Sequence, residues 1–138
     1  MARIIALDIG GKRTGIAVTD PYRMIATGLV GIETKDLLTY LKGYLEKEQV
    51  EFFVVGKPLQ MNNTESESWE MIQKITEKIK LAFPKMLVEF YDERFTSKIA
   101  LQSMKTAGAG KAEMKNKKTV DMVSATVLLQ NFLEFKKG

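Results

Sequence analysis

The stretch RIIALDIGGKRTGIAVTD, residues 3–20, decides how this chain folds. Ile4, Ile5, Ala6, Leu7 and Ile9 form a nearly continuous apolar run, the pattern of a strand buried on both faces. Asp8 breaks that run. Gly10, Gly11, Lys12 and Arg13 then read as a tight connection into a second strand, from Gly15 to Thr19, with Ile16 and Val18 on one face. Asp20 and Pro21 close it. Met24 to Ile32, with glycines at 28 and 31, reads as a third strand, so the chain opens with an antiparallel meander.

Outward from this meander the period changes. From Thr34, a candidate N-cap, Leu37, Leu38, Leu41, Tyr44 and Leu45 recur at helical spacing. Val50 to Gly56 is a buried strand ending in Lys57 and Pro58. Thr64 and Glu67 have capping-box spacing, and Trp69, Ile72, Thr76, Ile79 and Phe83 mark a second helix that Pro84 stops. Met86 to Tyr91 is a fifth strand running into Asp92, Glu93 and Arg94, after which Ser97 caps a helix through about Met104. Thr106 to Thr119, with Gly108, Gly110, Lys111, Lys115, Lys117 and Lys118, reads as a basic loop. Val120 to Phe135 is a final helix with Asp121 in its first turn. The order βββαβαβαα predicts one mixed α/β domain over residues 1–138.

Composition narrows the chemistry. The 138 residues are 45% hydrophobic and 28% charged, a globular balance, and they include neither cysteine nor histidine. Disulfides, thiolate zinc sites, Cys nucleophiles and imidazole bases are therefore excluded. Catalysis must rest on carboxylates, hydroxyls, amines or a bound metal. The net charge of +4 is compatible with a polyanionic partner and equally with a lysine-rich surface. No apolar run approaches the ~20 residues of a membrane span, so the expected location is the cytoplasm, away from membranes.

Three of the five aspartates stand at unusual places. Asp8 interrupts a buried strand, Asp92 lies at the exit of another, and Asp121 opens an apolar helix. A buried carboxylate needs compensation, because an unpaired buried charge costs about several kcal/mol. For Asp8 the choices are an ion pair with Arg13 or Arg3, hydrogen bonds from the glycine-rich turn, or a divalent cation shared with other carboxylates. Mg²⁺ and Mn²⁺ prefer such hard oxygen ligands. Asp121 reads either as an acid stabilised by the helix dipole, worth ~0.3–1 kcal/mol, or as a metal ligand that the same dipole keeps ionised. Asp92 and Glu93 are adjacent, so in an extended chain they point to opposite faces and only one reaches a common site. The acid and glycine-rich turn also occur in phosphate loops of two-domain ATPases. One domain of this length and the absence of GxxxxGK[ST] argue against that.

These residues resemble the YqgF-type family, described as Holliday junction resolvases and pre-16S rRNA nucleases of ribonuclease H-like fold. The resemblance spans essentially the whole chain through four ordered motifs: DIGGKRTGIAVTD (8–20), VVGKPL (54–59), DERFTS (92–97), and DMVSA (121–125) with LLQ (128–130). It implies a five-stranded mixed sheet flanked by helices, with catalytic acids from the first strand, the end of the fourth and the C-terminal helix. Carried over, these are Asp8, Glu93 or Asp92, and Asp121, with Asp8, Glu93 and Asp121 as the metal ligands. Lys57 stands where the family commonly has an apolar residue.

The expected activity is that of a metal-dependent endonuclease using Mg²⁺ or Mn²⁺, in which two ions about 3.5–4 Å apart activate water and stabilise the leaving oxygen. Lys12, Arg13, Lys57 and Arg94 flank the acids and are expected to position phosphate, with ordinary surface pairing as the alternative. Lys111, Lys115, Lys117 and Lys118 would grip the backbone outside the site. The resemblance favours the 5′ end of precursor 16S rRNA in ribosome biogenesis as substrate. The alternatives are four-way DNA junctions in recombination and repair, or a non-catalytic nucleic-acid-binding module. A junction resolvase cuts two symmetric strands and should be a homodimer, whereas an RNA nuclease can act as a monomer.

Overall fold

The first strand lies in the middle of its sheet, which is why its sequence carries no polar face. The computed structural model describes residues 2–58, 67–92 and 117–137. Within them β1 (Arg3–Ile9), β2 (Arg13–Thr19), β3 (Ala26–Glu33), β4 (Val50–Lys57) and β5 (Leu87–Asp92) form one sheet in the order β3-β2-β1-β4-β5. β1 pairs antiparallel with β2 and parallel with β4, and β5 extends the parallel side. A 3₁₀ turn, Thr34–Asp36, leads into helix α1 (Leu37–Lys47), and α2 (Glu67–Ala82) and α3 (Lys117–Lys137) follow.

Alternation along β1 divides its apolar run between two cores. Ile5, Leu7 and Ile9 face one side, where Phe53 and Val55 of β4 meet Leu37 and Leu41 of α1 and Trp69, Ile72 and Ile79 of α2. Ile4 and Ala6 face the other, with Ala17, Val54 and Tyr91, under Ala125, Leu128, Leu129, Phe132 and Leu133 of α3. Asp8 follows Ile4 and Ala6 on the α3 side. The amphipathic spacing of α1 and α2 thus matches a helix buried along one stripe.

Helix α3 is seated in two ways along its length. At its C-terminal end aromatic rings fill the space, with Phe132 edge-on to Phe52 at 6.0 Å and to Tyr91 at 5.9 Å. Near its start the helix backbone rests on glycine. A β-carbon on Gly15 would overlap the Asp121 carbonyl, and one on Gly31 would overlap that of Lys118. Gly15 and Gly31 are register partners on β2 and β3. Three residues of helix rise ~4.5 Å, close to the ~4.8 Å between strands, so residues 118 and 121 can each sit over one of them.

Several boundaries differ from the sequence expectation. β3 begins at Ala26 rather than Met24, because the Asp20 carboxylate accepts the N–H groups of Tyr22 (3.1 Å), Met24 (2.8 Å) and Ile25 (2.8 Å) and holds them in a turn. Arg23 in that turn has φ 59°, and Met24 and Ile25 are exposed. Thr34 does not cap a helix: it is the first residue of the 3₁₀ turn, and its hydroxyl donates to the Gly10 carbonyl at 2.6 Å and accepts from the Thr14 hydroxyl. Lys117, Lys118 and Thr119 belong to α3 and not to a loop, so Asp121 lies one turn inside the helix. The contact of the Lys118 backbone with Gly31 accounts for this earlier start. The expected cap at Thr64, the helix from Ser97 to Met104 and the loop residues 106–116 lie outside the described residues.

Candidate active site

Two of the sequence-selected acids, 113 positions apart in the chain, approach the same patch of sheet. Asp8 stands near the C-terminal end of β1, opposite Gly15 in the antiparallel ladder. Gly15 in turn lies under the backbone of Asp121. A residue with no side chain therefore stands between the strand position of Asp8 and the helix backbone at Asp121, on the α3 face. Because the helix contacts the strand through its backbone, the height of Asp121 over the sheet is set by main-chain atoms.

Arg13 completes the patch. It precedes Gly15 by two residues and so shares its face. Its Nε–H donates to Asp121 Oδ2 at 2.8 Å, with 32% and 24% of the two side chains exposed. Partial solvent exposure screens such a pair, which limits it to about 0.2–1 kcal/mol. The sequence offered Arg13 or Arg3 as partner for Asp8. Arg13 bonds Asp121 instead, and Arg3 bonds Glu48 (3.3 Å) and the Thr19 carbonyl (3.0 Å).

The hairpin carrying Arg13 is held from outside. Its loop closes with a bond from Gly10 N–H to the Arg13 carbonyl at 2.9 Å, and the Thr34 N–H donates to the Lys12 carbonyl at 2.8 Å. Since the Thr34 hydroxyl donates to Gly10, the buried Thr14 hydroxyl must donate to Thr34, at 2.9 Å. Thr34 is thus a tether for the glycine-rich turn, a role hidden in the sequence because its partners lie 20 and 24 residues away. The glycines of β2 and β3 did carry a signal, since glycine inside a strand marks a close approach of other backbone.

The remaining candidates separate. Tyr91 packs in the α3-side core, so alternation places Asp92 on the opposite face, and Asp92 pairs in register with Lys57. Lys57 is on that face too, its Nζ 5.2 Å from the centre of the Trp69 ring. Asp92 thus closes the fifth strand, whereas the resemblance implied an acid at the end of the fourth, and the last residue of β4 is Lys57. Lys12 is exposed at the hairpin tip, and Lys118 is exposed in the first turn of α3, which Lys117 opens. Glu93, Arg94, Lys111 and Lys115 lie outside the described residues.

Among the described residues no three His, Cys, Asp or Glu side chains gather closely enough to hold a metal. Asp8 and Asp121 supply two carboxylates, hard donors suited to Mg²⁺ or Mn²⁺, and the Arg13 guanidinium already stands as a cation against one of them. The donor chemistry fits a divalent ion. No helix among the described residues is long and apolar enough to cross a membrane.

Comparison with known proteins shows the family and the fold. The model of a family described as "RuvX: Holliday junction resolvase" matches residues 2–135. A protein of Bacteroides thetaiotaomicron is 47% identical over 137 residues, covering 99% of each chain, and one of Phocaeicola vulgatus is 48% identical with the same coverage. Both are provisionally named pre-16S rRNA nucleases. Among solved structures, T. thermophilus RuvC in complex with a Holliday junction substrate superposes with a TM-score of 0.61 at 13% identity, over 98% of this chain and 96% of that one. A second T. thermophilus RuvC structure gives 0.54 at 12% identity, over 97% and 96%. The fold is ribonuclease H-like.

Proposed function

Because the chain belongs to the family described as RuvX: Holliday junction resolvase, and is a nuclease, we propose that it hydrolyses phosphodiester bonds of structured precursor rRNA with a divalent metal. What supports the site is that Asp8 pairs in register with Gly15, on which the backbone of Asp121 rests from a distant part of the chain. Asp8, Asp121 and Glu93 are assigned as ligands of Mg²⁺ or Mn²⁺. When bound, such an ion activates water and stabilises the leaving oxygen. Asp92 is set aside from this group, because its strand position places it on the other face of the sheet.

The other residues position the nucleic acid. Arg13, Lys12 and Lys118 line the approach to the acids and hold phosphate oxygens; Arg94, Lys111, Lys115 and Lys117 extend that grip. Lys57, turned toward Trp69 on the far face, is removed from the proposed phosphate path. The protein acts in the cytoplasm, where precursor 16S rRNA is found in a bacterium. Converging carboxylates repel phosphate, which argues against a binding module without catalysis.

The family description favours a second reading, cleavage of four-way DNA junctions by a two-fold dimer. One assay separates these readings. Precursor 16S rRNA and a four-way junction are each incubated with Mg²⁺ or Mn²⁺ and the native chain or Asp8→Asn. We expect cleavage of the RNA and a loss of about a hundredfold or more in the variant. Cleavage of the junction alone would replace the RNA reading, and equal cutting by Asp8→Asn would remove the carboxylate mechanism.

A further inference from the structure

We propose that Arg13 is a resident counter-ion of the site: it occupies Asp121 until a divalent cation displaces it, and its freed guanidinium then binds substrate phosphate. The inference rests on the assignment of Asp8 and Asp121 as cation ligands. It adds a competition inside the site, and through it a coupling between cation and nucleic acid.

The manner of the contact supports displacement. Arg3 and Arg23 are each fixed at two points, Arg3 by Glu48 and Thr19, Arg23 by Glu51 and the Ala2 carbonyl. The Arg13 side chain makes one hydrogen bond among the described residues, through Nε to Asp121 Oδ2. Its two terminal amino groups are not engaged there, and these present the forked geometry that suits a phosphate. The backbone beneath is not free to follow the side chain, because the Arg13 carbonyl closes the hairpin with Gly10 and Thr34 clamps the loop. A swing about the side-chain torsions thus exchanges partners without disturbing β2.

The charges also require an exchange. Asp121 accepts the Arg13 bond on Oδ2 and has no second described partner. A divalent cation drawn to Asp8 and Asp121 meets a guanidinium at hydrogen-bond distance from one of its ligands. Like charges so placed repel, and the singly held Arg13 side chain is the mobile member. Nucleic acid offers that side chain a new anionic partner, so each ligand favours the other, reciprocally.

The test is a Mn²⁺ titration of the full chain by calorimetry, comparing the native protein with Arg13→Gln, with melting curves as a check of folding. We expect the variant to bind Mn²⁺ about tenfold more tightly, since a competing charge is gone. We also expect Mn²⁺ to strengthen binding of a short RNA to the native chain and to lose that effect in the variant. Saturable native binding with equal or weaker affinity in folded Arg13→Gln would overturn the counter-ion role and leave the cation site standing. Absence of Mn²⁺ binding by both proteins would overturn the site itself. Should the variant not fold, the Nε–H proton resonance of Arg13 in the native chain decides. It must shift during a Mg²⁺ titration with the midpoint of cation binding, and a resonance unmoved at saturation would refute displacement.

Discussion

The α1 and α2 face of the sheet and the β2–β3 part of the α3 face are built by opposite means. On the α1 and α2 face large side chains interdigitate, with Phe53 fully buried and edge-on to Phe83 at 6.2 Å. On the α3 face, above Gly15 and Gly31, there are no side chains to interdigitate, and helix backbone lies against strand backbone. Side chains can repack around small errors, whereas two main chains in contact fix a distance. The interdigitated face therefore supplies stability, and the glycine face supplies position. The charged residues Asp8, Arg13 and Asp121 all belong to the second.

Two substitutions would break or sharpen this division. Phe53→Ala should have the larger effect on stability, about 3–5 kcal/mol, the usual cost of deleting a buried aromatic side chain. Its nuclease rate per folded molecule should stay near native. Gly15→Ala adds one carbon and should cost less stability, about 1–3 kcal/mol, because the start of α3 can rise from the sheet. That rise moves Asp121 relative to Asp8, and a misplacement of ~1 Å is enough to lower the rate about a hundredfold. Denaturant titration and initial rates on one preparation of each variant check both halves. A Gly15→Ala protein with full activity, or a folded Phe53→Ala protein without any, would show that the faces do not divide the work.

The first face was also the more legible in sequence. Helical spacing and the double-sided run of β1 depend on local pattern, and both appear where they were expected. Asp8 was noticed because it violates that pattern. What stayed hidden depends on partners distant in the chain. Thr34 looks like an N-cap until Gly10 and Thr14 are beside it. The sidedness of Asp92 needed its register with Lys57 and the packing of Tyr91, because two adjacent acids are equivalent until a strand's phase is known. The start of α3 among lysines was masked by charge, and only the contact with Gly31 accounts for it.

A third aspartate gives the smallest effect and sharpens the contrast between structural and functional carboxylates. Asp20 follows the same hairpin strand that Arg13 begins, but its oxygens are filled by backbone donors, whereas Asp121 is held by one side chain. Those bonds, led by the one from Ile25, lower the Asp20 pKa from its ordinary 3.8. A carboxyl whose folded pKa is depressed contributes stability that is present above the unfolded value and lost as pH falls through the folded one. Asp20→Asn should therefore destabilise slightly at about pH 7 and remove part of the decline in urea midpoint expected of the native chain below about pH 4. Nuclease rate and Mn²⁺ affinity should not change, because backbone amides do not leave a carboxylate to bind phosphate. An Asp20→Asn protein with altered cation affinity would mean that the hairpin turn and the Asp8 patch are coupled through β2, and that the structural carboxylate shapes the site.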